Sequence, residues 1–453
     1  MRAGISLRHR LGEGGDTGRW TLKLADDADD KDTARRRELS VDGPPGPLPG
    51  ALAPVVRPWL RTALLVPVAR LQTVRRSTVL LLDDAPVASV DDDEVSVLQE
   101  GRVAARFREV EVELVGEPPE ELLPAVVARL REAGAGAPDP TPKLVRALGP
   151  RALQPADLAV AQVTRRSTAG DVLKAGVAAS VLRIVEHDAV IRAGDDDEGI
   201  HQARVGMRRL RSDLQTFAPL LDTAWSGPLR QELEWIAGEL GAVRDRDVLA
   251  KRLKTFVKRL PEADRDAALA VVVRLERERD RARTKAIAAL DSRRHLALLD
   301  RLVEAAVAPR LLGAADAPAI EVVPALAGDA LARLRSRIGR LGKKPSDEKL
   351  HATRILAKKA RYAIDVAIPV VGTRASDLAK ALGGLQDVLG DHHDCAVAEE
   401  WLAGAARTAT RAQAFALGQL VADQRHEAAR LRGEWRDAWD AVDKPKLTKW
   451  LEA

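Results

Sequence analysis

Residues 201–211 read HQARVGMRRLR, and residues 351–361 read HATRILAKKAR. The two stretches place histidine, arginine and lysine at matching positions, so they are two copies of one basic segment. A second match follows each copy, because Leu240-Gly241 has a counterpart in Leu389-Gly390 at nearly the same separation. Two spaced matches indicate an internal duplication. The sequence therefore predicts two homologous halves, about 164–300 and 301–453.

The region that contains both copies is predicted to be all-helical. After Gln154-Pro155, apolar residues recur at spacings of three and four, and the alternation typical of strands is almost absent. We expect a duplicated helical-bundle domain over residues 164–453, preceded by a linker at residues 151–163. The cluster DHHDC at residues 391–395 resembles a metal site only in composition, because adjacent histidines on a helix point about 100° apart.

The first 150 residues show the alternating pattern of β-strands. Segments 7–11 and 19–24 flank a glycine-rich hairpin signal at residues 12–18. Further Val-rich segments, separated by acidic or glycine-containing turns, lie at 73–82, 88–91, 94–98 and 106–114. The predicted fold of residues 1–150 is an antiparallel barrel or tunnel that is incomplete. The fold class of the whole chain is therefore α+β.

Composition and charge restrict the functional class. Hydrophobic residues form 46% and charged residues 31% of the 453 positions, which is typical of a globular protein. The single cysteine, Cys395, excludes an intrachain disulfide. The first residues contain no apolar signal segment, and no apolar run is long enough to span a membrane, so we expect a cytoplasmic protein without a membrane partner. Residues 1–150 hold 21 Lys and Arg against 24 Asp and Glu, whereas the remainder holds 51 against 43, which favours a polyanionic partner for the helical region.

The repeated segment has one basic face. On a helix, His201, Arg204, Arg208 and Arg211 lie within about 80° of one another, and the second copy repeats this arrangement. Like charges at these spacings repel and destabilise the helix unless an anion lies opposite. Pairing with carboxylates of neighbouring helices is the alternative, but the same stripe in both halves favours anion binding. Arginine suits phosphate, because its planar guanidinium donates two parallel hydrogen bonds.

These motifs resemble the CHAD domain, a duplicated helical bundle. The similarity lies in His-x-x-Arg-Val-x-x-Arg-Arg-Leu-Arg, in its second copy, and in Leu-Gly-Ala-Val-Arg-Asp-Arg-Asp-Val, and it covers residues 164–453. The resemblance implies an inorganic polyphosphate-binding protein that needs no cofactor for binding and is associated with polyphosphate granules. Residues implied to line a basic groove are His201, Arg204, Arg208, Arg209, Arg211, His351, Arg354, Lys358, Lys359 and Arg361. Lys174, on the first helix of the domain, is a further candidate.

The N-terminal region resembles later strands of the CYTH domain, a triphosphate-binding β-tunnel. The similarity lies in Leu-Arg-x-Arg, Trp-Thr-Leu-Lys-Leu, a later Arg-Arg, Glu-Val-Glu-Val-Glu-Leu and a final Pro-Lys-Leu. The resemblance implies phosphate contacts from Arg8, Arg10, Lys23, Arg75, Arg76 and Lys143, and Mg²⁺ or Mn²⁺ ligands from Glu109, Glu111 and Glu113. The family's first strand carries Glu-x-Glu-x-Lys, which residues 1–6 do not contain, so we expect a shortened domain.

Three functions follow from these observations. The leading hypothesis is polyphosphate binding by the helical domain. The first alternative is a metal-dependent inorganic triphosphatase or polyphosphatase in the N-terminal domain, which the missing first-strand carboxylates disfavour. The second alternative is nucleic-acid binding, which the low aromatic content of 3% disfavours because single-strand binders stack bases on aromatic rings.

Overall fold

The structure is a computed structural model that describes residues 4–12, 17–24, 38–139, 141–194 and 197–451. The chain forms two compact units. The first unit, the sheet unit, consists of Met1–Pro45 and Ala63–Ala156, and the second, the helical unit, consists of Gly46–Thr62 and Asp157–Ala453. Helices make up 66% of the residues that the structure describes. Within the described ranges, no helix combines the length and the apolar content needed to cross a membrane.

The sheet unit contains two antiparallel three-stranded sheets. The strands are Ser6–Arg10 (β1), Arg19–Lys23 (β2), Glu38–Asp42 (β3), Arg70–Leu82 (β4), Ala85–Gln99 (β5) and Arg102–Leu114 (β6). Their orders are β1-β2-β3 and β4-β5-β6. The central residues of the predicted first hairpin, 13–16, lie outside the described residues, but β1 pairs antiparallel with β2.

The predicted barrel is not found among the described strands. Closure of a barrel requires the two edge strands to pair with each other, whereas β4 and β6 are both paired only with β5 in this part of the chain. Two-residue turns join the strands of this sheet in sequence order. Positive φ angles at Asp83, Asp84, Glu100 and Gly101 reverse the chain so tightly that each long strand pairs with its sequence neighbour.

One predicted turn is also wrong. The acidic residues Asp92 and Asp93 were expected to separate two short strands, 88–91 and 94–98, but they lie inside the single strand β5. Arginines on the flanking strands explain this result, because Arg75 contacts Asp93 and Arg108 contacts Asp92. Cross-strand pairs of opposite charge stabilise a sheet, so an aspartate run is tolerated there.

The described residues also form α-helices in both units. In chain order they are Ala53–Leu60 (α1), Leu122–Glu132 (α2), Lys143–Leu148 (α3), Ala169–Ala193 (α4), Asp197–Thr216 (α5), Thr223–Val257 (α6), Glu262–Asp291 (α7), Arg293–Val307 (α8), Ala319–Gly339 (α9), Asp347–Val371 (α10), Thr373–Ala406 (α11), Arg411–Val442 (α12) and Pro445–Thr448 (α13). The helices α4 to α7 have counterparts in α9 to α12. Their first residues, 169, 197, 223 and 262, correspond to 319, 347, 373 and 411, which is the spacing of a duplicated domain.

The apolar faces of the helices build the core of the helical unit. On α5 the buried side chains recur at spacings of three and four and include Ile200, Ala203, Met207, Leu210 and Leu214. This face packs in a core shared with α4 and α6 to α12. A smaller core joins α6 and α7 to α11 and α12. The basic residues of α5 and α10 are therefore left on the faces that do not enter the core.

Candidate anion-binding site

The two repeated basic helices come together in the fold. Helix α5 packs against α10, and α6 packs against α11, so equivalent elements of the two repeats face each other. The charge of Arg208 on α5 contributes to lowering the pKa of Lys358 on α10, and Arg204 acts on the same lysine. Six residues of the two helices influence one another's pKa values in this way, and they are called the basic cluster. They are His201, Arg204, Arg208, His351, Arg354 and Lys358.

Arg204 is held by the helix that follows it. Its Nη1 atom lies 3.1 Å from Asp245 Oδ1 and donates to the carbonyl oxygen of Leu240 at 3.5 Å. A Cβ atom at Gly241 would lie only 3.2 Å from the same Nη1 atom. The glycine therefore makes room for the guanidinium. Burial lowers the pKa of Arg204, and Asp245 partly compensates.

The second repeat places Arg354 in the same way but pairs it less fully. A Cβ atom at Gly390 would lie 3.7 Å from Arg354 Nε, an ordinary van der Waals distance, so this glycine lies beside the arginine without being needed to make room for it. Although both side chains are described, Arg354 and Asp394 do not approach within ion-pair distance, and Arg354 Nε is buried without a hydrogen-bond partner. The Nε atom of Arg208 is in the same condition. A buried guanidinium donor without a hydrogen bond destabilises the folded protein. A bound anion would provide the missing acceptor.

Lys358 is surrounded by cations that lower its pKa. Burial lowers its pKa to about 8, and the charges of Arg354, Arg208 and Arg204 contribute, whereas Asp394 opposes the shift. A lowered lysine pKa means that the protein disfavours the cation in this place. An anion bound beside it would reverse the shift.

A pair of histidines completes the cluster in the second repeat. The Nδ1 atoms of His351 and His393 lie 3.1 Å apart, and the ring centroids are 4.2 Å apart. Burial lowers the pKa of His393 to about 4, and His351 and Arg354 add to the shift. In the first repeat the counterpart of His393 is Arg244. Burial lowers the pKa of His201, and the charge of Arg244 adds to this shift.

Two further predicted residues, Arg211 and Lys359, lie with a different set of cations. Arg211 Nη2 is 2.9 Å from Glu234 Oε1. Burial lowers the pKa of Lys359, and Arg230, Arg211 and Arg333 contribute. The single stripe expected from helical phase thus divides, because Arg211 has charged neighbours different from those of Arg204 and Arg208.

Arg209 and Arg361 act on a buried pair of carboxyl groups. Burial raises the pKa of Asp213 to about 7 and also raises that of Asp365, and the Arg209 charge opposes both shifts. Arg361 donates from Nη1 to Gln386 Oε1 at 2.8 Å. Its Nε atom lies 3.9 Å from Asp365 Oδ2. Arg361 has protein partners, so its availability to an external anion is smaller than that of Arg208.

Lys174 lies apart from the basic cluster. It is exposed on α4 and lines a cavity of about 150 Å³ together with Asp157, Leu158 and Val307. None of the residues around this cavity belongs to the basic cluster. The structure therefore does not bring Lys174 to the other predicted residues.

Sequence reasoning did not name three residues of this site as ligand contacts. Asp245 belongs to the quoted motif Leu-Gly-Ala-Val-Arg-Asp-Arg-Asp-Val without an assigned role, and Asp394 and His393 belong to the metal-like cluster DHHDC. The informative signal was the repetition itself, since both aspartates follow a Leu-Gly pair that lies against an arginine. The histidine contact depends on the packing of α10 and α11, which no local pattern shows.

The sheet unit contains a separate charged cluster. Carboxylate oxygens of Asp93, Glu109 and Glu111 lie within 4.8 Å of one another, so two of the three predicted metal ligands converge, and Asp93 takes the place expected for Glu113. The ammonium of Lys143 lies 2.5 Å from Asp93, 2.9 Å from Glu109 and 3.0 Å from Glu111. A divalent cation would have to displace this ammonium, so the donor set does not fit a metal as it stands.

Arg75 also occupies this cluster. It donates from Nε and Nη2 to the two oxygens of Asp93, at 2.8 and 2.7 Å, and from Nη2 to Glu111 at 3.0 Å. Hydrogen bonding to Arg75 and Lys143 lowers the pKa of Asp93 to about 2. Arg76 points to the opposite face of β4, where it lies 3.6 Å from Glu94.

The predicted phosphate contacts of the first sheet surround a different carboxylate. Lys23 Nζ lies 2.8 Å from Glu38 Oε2. The hydrogen bond from Lys23 lowers the pKa of Glu38, and the charges of Arg8 and Arg10 add to this effect. These three cations therefore gather around Glu38, whereas Arg75 and Lys143 belong to the second sheet.

The fold and the basic cluster define a protein of two homologous helical repeats whose basic helices meet. Comparison with known proteins agrees. The CHAD domain family matches residues 175–403, about half of the chain. Two proteins of Mycobacterium tuberculosis, uncharacterized protein MT2285 of strain CDC 1551 / Oshkosh and uncharacterized protein Rv2226 of strain ATCC 25618 / H37Rv, are each 31% identical over 97% of this chain and 86% of their own length. The chain belongs to the CHAD-domain family.

Solved structures show the same relationship. PptA from Streptomyces chartreusis is 29% identical, with a TM-score of 0.52, and the match covers 60% of this chain and all of that protein. The CHAD domain from the plant Ricinus communis is 26% identical, with a TM-score of 0.52, over 64% of this chain and 97% of that domain. Both matches support the helical architecture of this family for the larger unit.

Proposed function

We propose that the helical unit binds inorganic polyphosphate and that the basic cluster is its main contact surface. The observation that carries this proposal is the meeting of two basic helices, in which Arg208 and Arg354 each keep a buried Nε atom without a hydrogen-bond partner. The CHAD family is associated with polyphosphate binding in general. A linear polyanion supplies several negative charges to one place, which is what converging cations require.

Each group has a distinct role in this proposal. The arginines donate paired hydrogen bonds to phosphate oxygens, and Lys358 acts as a point charge. Asp245 holds the Arg204 guanidinium in place at 3.1 Å. Because this carboxylate competes with the ligand, an anion of low charge gains less from binding than a long polyphosphate chain does.

The sheet unit is proposed to be a CYTH-like scaffold or second anion site rather than an enzyme. The salt bridges of Lys143 and Arg75 to the carboxylates support this view, because they hold those carboxylates neutralised. One observation favours the alternative of a Mg²⁺- or Mn²⁺-dependent triphosphatase, namely the convergence of Asp93, Glu109 and Glu111. Release of phosphate from tripolyphosphate with each metal separates the two possibilities.

Charge reversal tests the main proposal. Binding of long-chain polyphosphate by the full chain is measured by titration calorimetry for Arg204→Glu, for Arg354→Glu and for the double variant. We expect the double variant to lose far more affinity than either single variant, because both arginines contact one ligand. We also expect affinity to fall steeply with salt, since binding releases condensed counterions.

A matched control is the variant Arg425→Glu. Arg425 lies on α12, is 67% exposed and pairs with Glu399 at 2.7 Å, so its reversal changes the net charge equally outside the basic cluster. Affinity in this variant should stay near that of the wild type. If Arg425→Glu weakens binding as much as Arg204→Glu does, the interaction depends on net charge alone, and the proposed contact surface is wrong.

A further inference from the structure

The two repeats differ at one end of the basic cluster. In the first repeat Arg244 lies near His201 and carries a permanent charge. In the second repeat its counterpart, His393, lies against His351 with 3.1 Å between the Nδ1 atoms. A histidine pair therefore replaces a histidine and an arginine, and this end of the cluster carries charge only when it is protonated.

The contact between the Nδ1 atoms determines where protons can bind. At 3.1 Å one Nδ1 donates and the other accepts. In the neutral pair the donor ring has a bare Nε2 atom, and the acceptor ring carries hydrogen on its Nε2. One proton from solvent at the bare Nε2 produces an imidazolium, preserves the bond between the Nδ1 atoms and leaves an N–H group on both Nε2 atoms. The pair then has one positive charge and two free donors.

Neighbouring helices keep the pair neutral in the unliganded protein. The charged groups that act on it are Arg354 and Lys358 on α10 and Asp245 on α6. Those two cations interact in turn with Asp394 on α11 and with Arg208 on α5. Cations outnumber carboxylates in this set. Burial lowers the pKa of both histidines, and Arg354 and Lys358 add to each shift. Only additional negative charge at the site would support the protonated pair.

We infer that His351 and His393 form a proton-coupled contact for the polyphosphate chain, which takes up one proton from solvent when phosphate oxygens bind there. The inference rests on the proposed function. In the neutral pair a phosphate oxygen meets a lone pair at the bare Nε2, whereas in the protonated pair it meets a donor. Affinity for polyphosphate therefore rises as the pH falls.

The expected change in affinity with pH follows from the pKa of His393. Its pKa is about 4 in the free protein, and 6.5 is its ordinary value. If bound polyphosphate restores the ordinary value, affinity increases about 30-fold between pH 7.5 and pH 5. At pH 6 binding takes up about 0.8 proton at this pair.

Proton uptake is measured by calorimetry of the full chain with long-chain polyphosphate at pH 6, in buffers of different ionisation enthalpy. The informative variant is His393→Arg, which gives the second repeat the residue found at Arg244. We expect it to bind polyphosphate while taking up fewer protons than the wild type by about 0.8. His201 contributes equally to both proteins, and in the variant the new arginine disfavours protonation of His351 as Arg244 does that of His201, so the difference reports on the pair. The variant His426→Gln, at an exposed position of α12, should keep the wild-type uptake.

The outcomes distinguish this inference from the proposed function. Equal proton uptake by wild type and His393→Arg, with both binding polyphosphate, overturns the inference and leaves the proposed function intact. Failure of the wild type to bind polyphosphate removes the proposed function itself. If His393→Arg does not fold, judged by its thermal melt, the double variant His351→Gln, His393→Gln replaces it. That variant should also lose the proton uptake and should bind more weakly at pH 6 than the wild type.

Discussion

A rise in pH from 7 to 9 is expected to weaken polyphosphate binding about tenfold through Lys358. Its pKa is about 8 in the free protein, against an ordinary value of 10.5. At pH 7 the free lysine is mostly protonated, so binding needs no proton. At pH 9 it is mostly neutral, and binding must first add a proton at a cost of about 1.4 kcal/mol, one pH unit above the pKa.

The assay compares dissociation constants at pH 7, 8 and 9 at fixed ionic strength for the wild type and for Lys358→Arg. Arginine does not titrate in this range, so the variant should bind with little dependence on pH. Thermal melts at each pH confirm that both proteins stay folded. The reasoning is refuted if Lys358→Arg shows the same tenfold decline as the wild type, because another group would then carry the dependence.

Three further results are expected. Gly241→Ala should weaken polyphosphate binding several-fold, because its Cβ would lie 3.2 Å from Arg204 Nη1. The control Gly384→Ala, whose Cβ would meet open space, should bind normally. Equal affinities of the two variants in calorimetry would contradict this role of Gly241. The chain should release negligible phosphate from tripolyphosphate with Mg²⁺ or Mn²⁺, and robust release that disappears in a Glu109→Gln, Glu111→Gln variant would show the opposite. Labelled polyphosphate should be displaced poorly by single-stranded DNA at matched phosphate concentration and physiological salt, and equal competition would indicate a general polyanion surface.

Much of the helical unit could be predicted from the sequence. The repeat of HQARVGMRRLR as HATRILAKKAR revealed the duplication, and apolar spacing revealed the helices. Both signals are local, since the phase of a helix assigns each residue to a face without reference to other elements. The basic face of α5 therefore followed from residue spacing alone.

The sheet unit shows where local patterns fail. The run of Asp91, Asp92 and Asp93 has the composition of a turn, but arginines on neighbouring strands keep it within β5. The alternating pattern also could not show whether the sheet closes into a barrel. Alternation shows which residues lie on each face of a strand, but it does not show which strand pairs with its edge. Asp93 was missed as a member of the acidic cluster for the same reason.

The sequence by itself determined the duplicated helical architecture and the basic faces of α5 and α10. Only the tertiary structure decided which charges meet. It places Arg208 with Lys358, separates Arg211 from them, and brings His393 against His351. These contacts depend on how four helices cross, and the crossing is set by packing of apolar side chains far apart in sequence. Charge spacing along one helix therefore predicts that a basic surface exists, whereas the position of each proton and ion pair on it follows from the packing of both repeats.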